Sequence, residues 1–197
     1  MTDTSQIRVW DPLVRFFHWS LASAFFLAYI TGEELLLVHI WAGYLILALL
    51  GIRFIWGIIG TRHARFTDFV YSPASIIRFL KDTLHLRARR YLGHNPAGGA
   101  MVIALMVSLL ITGASGVVLL GAEDQAGPLA GWFSQTGSFW GDALEELHEF
   151  FANFTLLLVF VHVVGVIVES VIHKENLVSA MITGFKPENP GHGEDTA

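Results

Sequence analysis

Residues 144–172 read LEELHEFFANFTLLLVFVHVVGVIVESVI, a long apolar stretch that contains two histidines, His148 and His162. A polar ring in hydrocarbon needs a partner, so imidazoles in a membrane-spanning helix indicate a function. An interval of fourteen residues is close to four helical turns, so both rings leave the helix from nearly the same face, roughly 21 Å apart along the axis. This geometry suits a helix that gives one axial ligand to each of two haems at different depths in the membrane.

The composition of the chain is typical of membrane proteins. Of its 197 residues, 53% are hydrophobic and 15% are charged, whereas soluble domains carry about 25% charge. Three further apolar segments are long enough to span a bilayer, at about residues 14–30, 36–59 and 97–120. We therefore predict an all-α integral membrane protein, built as a four-helix transmembrane bundle.

The residue types that are missing or scarce exclude several classes of function. The chain contains no cysteine, which excludes disulfides, thiolate-bound iron–sulfur clusters and the covalent attachment of a c-type haem. A haem in this protein would be held by side chains alone. The net charge of −5 lacks the basic character of a nucleic-acid-binding protein.

The basic residues fix the predicted orientation. All twelve Lys and Arg residues lie on one side of the four spans, and the two loops on the other side contain only acidic charges. By the positive-inside rule, both termini are expected in the cytoplasm. The expected domains are a cytoplasmic segment over 1–12, the four-helix di-haem domain over 13–184 and a disordered, Pro/Gly-rich tail over 185–197.

Two loops have patterns of their own. Residues 73–90 predict a basic amphipathic helix, which would lie in the membrane interface or serve as a solvated connector. Asn95 and Pro96 are typical of a helix N-cap and first helical position. The outer loop over 121–141 contains Trp132, Phe133, Phe139 and Trp140, which would anchor it at the interface or contact a periplasmic partner.

The nine histidines can be sorted by their depth in the predicted spans. His18 lies near the cytoplasmic end of the first span, and His39 lies at the outer end of the second. Because the fourth span runs from outside to inside, His148 is expected near the outer side and His162 deeper. Matching depths pairs His18 with His162 and His39 with His148, which predicts two bis-histidine haem sites. The remaining five, at positions 63, 85, 94, 173 and 192, are expected to be polar surface residues.

Small residues accompany the predicted ligands. Steps of four and three residues from His148 give a narrow seam suited to the inside of a left-handed bundle; its other members are Ala152, Thr155, Val159, His162, Val166 and Glu169. Gly43 lies one turn after His39. These positions would leave room for a macrocycle or would allow close helix packing.

Several short motifs resemble one known family. They are VWDP (9–12), FFHW (16–19), VHIWAGY (38–44), GHNP (93–96) and HKENLV (173–178), together with the spacing of the two histidines in the fourth span. The chain is similar to bacterial di-haem cytochromes b, the family of the cytochrome b subunit of nickel–iron hydrogenases, grouped with bacterial cytochrome b561. The resemblance covers about residues 7–184.

The resemblance implies a bundle in the bacterial inner membrane that holds two b haems through His18, His39, His148 and His162. It also implies electron transfer between a redox partner protein, such as a hydrogenase subunit or a c-type cytochrome, and the quinone pool. The chain would then be an electron-transfer subunit of an oxidoreductase complex. A homo-oligomer is left open.

Two charged residues, Arg15 and Glu169, lie near the predicted inner haem site. Arg15, one turn before His18, would contact a propionate of the inner haem or anchor the span at the interface. Glu169 would belong to a proton path for quinone reduction or would be a capped interfacial acid.

The sequence leaves two alternative functions open. The first is a stand-alone enzyme that oxidises superoxide and reduces quinone, although the outer side has no Lys or Arg to attract the anion. The second is a haem-free membrane anchor or proton-relay transporter.

Overall fold

The structure, a computed structural model, describes residues 5–32, 34–132 and 138–188. The elements in chain order are β1 (Gln6–Arg8), α1 (Pro12–Thr31), α2 (Leu36–Ile59), α3 (Phe66–Phe69), α4 (Pro73–Leu84), α5 (Pro96–Ala122), α6 (Ser138–Ile172), α7 (Leu177–Thr183) and β2 (Phe185–Pro187). Short 3-10 turns occur at Arg62–Ala64 and Gly127–Leu129.

Four of these helices are long and apolar enough to cross a membrane. They are α1, α2, α5 and the Gly141–Ile172 part of α6. The predicted spans are confirmed to within a few residues, except that α6 begins six residues before the expected start at residue 144. Many large apolar side chains on these helices are exposed, Ile30, Leu37 and Phe160 among them, as expected of helices whose outer surface meets lipid. The protein is therefore a mostly helical membrane protein.

The chain divides into two compact units, and each contains a section of all four long helices. The helical unit consists of Trp19–Ile52 and Ile103–Val159. The terminal unit consists of the described residues up to His18, of Arg53–Val102 and of the described residues from Phe160 onwards.

Small side chains form much of the core of the helical unit. Ala24 and Ala28 of α1 belong to one buried cluster with Ala42 of α2 and Leu109 of α5. Such residues allow helices to approach closely where lipid gives no hydrophobic drive for association. The hydroxyl groups of Ser108 in α5 and Thr155 in α6 are 2.7 Å apart, and both side chains are buried.

Asp11 organises the core of the terminal unit. As the N-cap of α1, it accepts a hydrogen bond from the main-chain nitrogen of Val14 at 2.9 Å. Its second carboxylate oxygen accepts from Trp56 Nε1 at 3.0 Å and from the Thr61 hydroxyl. The start of α1 is thereby tied to the end of α2. Burial raises the pKa of Asp11, but the hydrogen bonds from Thr61, Val14 and Trp56 outweigh burial and hold the pKa below its ordinary value.

The prediction of a disordered tail from residue 185 is wrong for its first residues. Phe185–Pro187 pair as an antiparallel strand with Gln6–Arg8, which places Ile7 opposite Lys186. The pairing is supported by the side chain of Arg90, which donates to the carbonyl of Pro187 at 2.6 Å. A Pro/Gly-rich composition does not reveal such a distant partner. Residues 189–197 lie outside the described residues.

The amphipathic helix after α2 is present but shorter than predicted. It begins at the N-cap Ser72, whose hydroxyl accepts from Ser75 N at 3.3 Å. It ends at Leu84 rather than at residue 90, because Leu86 adopts a left-handed φ of 57°. The predicted N-cap Asn95 is confirmed, since its side chain accepts from Gly98 N at 2.7 Å at the start of α5.

The predicted aromatic outer loop is described only in part. Trp132 is exposed. Phe133 and the side chains of Phe139 and Trp140 lie outside the described residues.

Candidate metal centres

The helical unit brings together one of the two predicted histidine pairs. His39 lies near the start of α2 and His148 lies in the first third of α6. Their ring centres are 5.8 Å apart, and the ring planes meet at 73°. Both side chains are half-buried.

Main-chain carbonyls orient both rings of this pair. His39 Nδ1 is 2.8 Å from the carbonyl oxygen of Ala28, and His148 Nδ1 is 2.9 Å from that of Thr112. Because a carbonyl oxygen can only accept, each Nδ1 must carry the hydrogen and donate it. The tautomer that results leaves the lone pair of Nε2 available to bind a metal ion.

A glycine of α5 makes room for the His148 ring. A Cβ atom at Gly116 would lie 2.8 Å from His148 Cε1, which is too close for an ordinary contact. The many small residues of α5 predict only a packing role for this helix. The backbone of α5 in fact positions a candidate ligand, through the Thr112 carbonyl and through Gly116.

The terminal unit contains the second predicted pair. His18 lies in the second turn of α1 and His162 lies in the last third of α6. Their ring centres are 6.3 Å apart, at an interplanar angle of 54°. Both side chains are half-buried. The structure therefore makes the same two pairs that the depth of each histidine predicts.

The ring-centre distances of both pairs are close to those of two imidazoles that share one metal ion. Two imidazoles that bind one metal ion from opposite sides have ring centres about 6 to 6.5 Å apart, because each metal–nitrogen bond is about 2 Å. A Cβ atom at Gly43 would meet no heavy atom within 4 Å, so there is open space one turn from His39. Among the described residues, no group of three or more His, Cys, Asp or Glu side chains could hold a metal ion. Pairs, rather than clusters, are what a haem requires.

The seam predicted along α6 coincides with its more buried face. Ala152, Val159 and Val166 are half-buried, and Thr155 is fully buried. The neighbouring positions Phe160, Val161 and Val163 are exposed.

The structure gives Arg15 and Glu169 protein partners near the chain's C-terminal segment. The Arg15 Nη1 atom donates to the carbonyl of Ile182. Glu169 Oε2 accepts from Asn95 Nδ2 at 2.9 Å and lies 3.3 Å from His173 Nε2. Neither contact was foreseen from the sequence.

His94 differs from the surface role expected for it. Its ring centre is 4.7 Å from those of Trp10 and Phe69. Burial lowers the pKa of His94 to about 3, and the positive charges of Arg53 and Lys186 act in the same direction. The imidazole is therefore neutral at physiological pH. The GHNP motif (93–96) contains His94, but the motif does not predict that the imidazole is buried.

The chain is similar to known proteins along most of its length. Residues 9–184 match the family described as prokaryotic cytochrome b561. Three curated relatives carry the name "Probable Ni/Fe-hydrogenase B-type cytochrome subunit". The protein from Rhizobium leguminosarum bv. viciae is 24% identical, with 92% of this chain and 89% of the relative covered. The protein from Azotobacter vinelandii is 27% identical, with 77% of this chain and 69% of the relative covered. The protein from Cupriavidus necator is also 27% identical, with 90% of this chain and 86% of the relative covered.

A search of solved structures found no match. The family match covers most of the chain and includes all four paired histidines. The chain belongs to the prokaryotic cytochrome b561 family, and it is a membrane-bound b-type cytochrome of electron transport.

Proposed function

We propose that this protein is a di-haem cytochrome that transfers electrons across the bacterial inner membrane between a redox partner protein and the quinone pool. The observation that carries this proposal is the two histidine pairs, with ring centres 5.8 and 6.3 Å apart. The His18–His162 separation is within the range for two imidazoles on one iron ion, and the His39–His148 separation is about 0.2 Å below it. Both pairs use α6, which contributes His148 to one and His162 to the other.

The protein would hold each haem by its axial positions. His39 and His148 would bind one iron, and His18 and His162 the other. A haem held by two histidines would supply one-electron transfer rather than oxygen binding. The carbonyls of Ala28 and Thr112 would keep the His39 and His148 rings in the ligating tautomer. Gly43 would leave space for the edge of the macrocycle near His39.

The partner that the relatives suggest is a nickel–iron hydrogenase. All three curated relatives are named as hydrogenase cytochrome subunits. The acidic outer loops of this chain would favour a partner with a basic docking surface. A c-type cytochrome is the alternative partner of the same electrostatic type.

The quinone would exchange electrons at the cytoplasmic end, where both termini and all twelve basic residues would lie. Glu169 would serve proton transfer there, because its carboxylate contacts both Asn95 and His173. The exposed Ile77, Leu80 and Leu84 of α4 would place that helix in the interface.

Haem stoichiometry and redox titration of the purified protein test the proposal. Wild-type protein is expected to contain two b haems per chain with two separate midpoint potentials. His39→Ala and His18→Ala are each expected to remove one haem and one of the two potentials, because each breaks a different pair. His85→Ala, which changes an exposed histidine at the end of α4, is the matched control and should retain both.

A single haem in the wild-type protein, or loss of the same haem in both variants, would contradict the proposal. Electron transfer to quinone is tested in membrane vesicles with the hydrogenase added or withheld. Reduction of the cytochrome by hydrogen only when the hydrogenase is present, followed by quinone reduction, is the expected result. Equal quinone reduction by superoxide without any partner would instead favour a stand-alone enzyme.

A further inference from the structure

Arg53 is a buried cation in the terminal unit. It follows His39 in α2 by fourteen residues, the same interval that separates His148 from His162 in α6, so it leaves α2 from nearly the face that carries His39. Its relative exposure is 2%. The side chain therefore does not reach out to lipid headgroups as an interfacial arginine would.

Among the described residues, the neighbours of the Arg53 guanidinium include two aromatic rings, and no acid lies within ion-pair distance. Its guanidinium carbon lies 5.3 Å from the ring centre of Phe66 and 5.7 Å from that of Phe69. Within the described ranges, its Nη1 atom has no hydrogen-bond partner and it forms no ion pair with an acid. Asp11 is close enough for its charge to act on Arg53, but three other donors already occupy the Asp11 carboxylate.

His94 supplies a second unsatisfied atom nearby. Its Nδ1 atom is buried and, in the part of the chain that the structure describes, has no hydrogen-bond partner. Phe69 lies against both residues, because its ring centre is 4.7 Å from that of His94 and 5.7 Å from the guanidinium carbon of Arg53. The charges of Arg53 and His162 also act on the His94 ring. A buried guanidinium nitrogen and a buried ring nitrogen that both lack a hydrogen-bond partner are costly unless another group satisfies them.

We propose that Arg53 Nη1 and His94 Nδ1 form a carboxylate-binding subsite beside the His18–His162 pair, and that its ligand is a propionate of the haem held by that pair. This inference rests on the proposed function. A carboxylate supplies the negative charge that Arg53 lacks and accepts hydrogen bonds from a planar guanidinium. Its second oxygen can accept from the neutral imidazole of His94.

The midpoint potentials of both haems in Arg53 variants test the subsite. A nearby cation favours the reduced haem, which has one positive charge fewer. Arg53→Gln is expected to shift the reduction equilibrium of the His18–His162 haem at least tenfold toward the oxidised form, which is about 59 mV for one electron. The other haem, identified by its loss in His39→Ala, should keep its potential.

The pH dependence provides a second readout. In the wild-type protein, a propionate held by Arg53 stays ionised, so the potential of this haem should vary little between pH 5 and 8. In Arg53→Gln, the propionate would titrate within that range and the potential would become pH-dependent. Arg53→Lys retains the charge and should recover most of the potential. Arg62→Gln, which changes an arginine that is 85% exposed, is the matched control and should leave both haems unchanged.

If Arg53→Gln does not hold haem, the subsite can be tested in wild type and Arg53→Lys instead. Both proteins are loaded with haem that has ¹³C-labelled propionates, and their redox infrared difference spectra are compared. A labelled carboxylate band that shifts in Arg53→Lys supports the subsite, and an unshifted band overturns it. Two haems with unchanged potentials in Arg53→Gln would overturn the subsite and leave the proposed function standing. A potential that depends on added acetate would identify an exchangeable carboxylate instead of a propionate. Wild-type protein without haem would overturn both.

Discussion

At the residue scale, main-chain atoms rather than side chains orient the His39–His148 pair. The acceptors that orient the two rings are the main-chain oxygens of Ala28 and Thr112. Substituting either residue would leave the acceptor in place. The orientation of each ring therefore depends on where α1 and α5 place these carbonyls. Gly116, against which His148 packs, is the residue whose substitution tests the contact most directly.

Gly116→Ala tests that contact. The new methyl group would lie 2.8 Å from His148 Cε1, so the ring or helix α5 must move. We expect reduced occupancy of the haem bound by His39 and His148, or a shifted midpoint potential, with the other haem unchanged. Optical redox titration of the purified variant measures both quantities.

Gly131→Ala is the control, because a Cβ atom there would meet nothing within 4 Å. Equal effects of the two substitutions would show that the contact with His148 is not the cause. Unchanged binding and potential in Gly116→Ala would show that the ring has freedom to move.

Asp11 sets the acid response of the terminal unit. Hydrogen bonds hold the pKa of Asp11 below its ordinary value of 3.8, against the opposing effect of burial. The carboxylate therefore contributes stability that is present above pH 3.8 and is lost as pH falls through the lower folded-state pKa. Asp11→Asn is expected to lower the free energy of unfolding by about 1–2 kcal/mol at neutral pH. The amide oxygen can still cap α1, but the amide nitrogen cannot accept the hydrogen bonds that Trp56 and Thr61 donate to the carboxylate.

Thermal unfolding in detergent between pH 2.5 and 7 measures this contribution. The difference between wild type and Asp11→Asn should shrink below pH 3.8. Asp82→Asn, at an exposed position of α4, is the control. A pH-independent difference would mean that the ionised form of Asp11 is not what stabilises the start of α1.

At the element scale, one buried polar contact joins α5 to α6. The Ser108 and Thr155 hydroxyls are 2.7 Å apart, and both side chains are buried. Such contacts in membrane proteins contribute on average about 0.6 kcal/mol. A double-mutant cycle with Ser108→Ala and Thr155→Val is expected to give a coupling free energy of that size, measured by unfolding in mixed detergent. Additive effects of the two substitutions would show that the hydroxyls act independently.

Features of single helices are predictable from the sequence, whereas contacts between distant parts of the chain are not. The four spans follow from hydropathy, and the histidine pairs follow from depth, because both properties are encoded locally in each helix. Arg53 and His94 were missed as a pair because their proximity depends on how the loop before α5 packs. The end of α4 and the β1–β2 pairing were missed for a similar reason, since Arg90 and Lys186 make contacts with residues far away in the sequence.

At the scale of the whole molecule, the one-sided distribution of Lys and Arg predicts the topology. The chain contains no cysteine, so single cysteines can report accessibility without background. Gln125→Cys, between α5 and α6, should react with an impermeant maleimide in intact cells or spheroplasts. Asp82→Cys, in α4, should react only after permeabilisation. The reverse pattern would invert the proposed orientation, and with it the side on which the quinone exchanges electrons.

The pairing of Gln6–Arg8 with Phe185–Pro187 also bears on biosynthesis. β1 is synthesised before the four long helices, whereas β2 is synthesised only after them. The four spans must therefore enter the bilayer before this pairing forms. A chain truncated before residue 185 would keep all four spans but leave β1 without its partner strand.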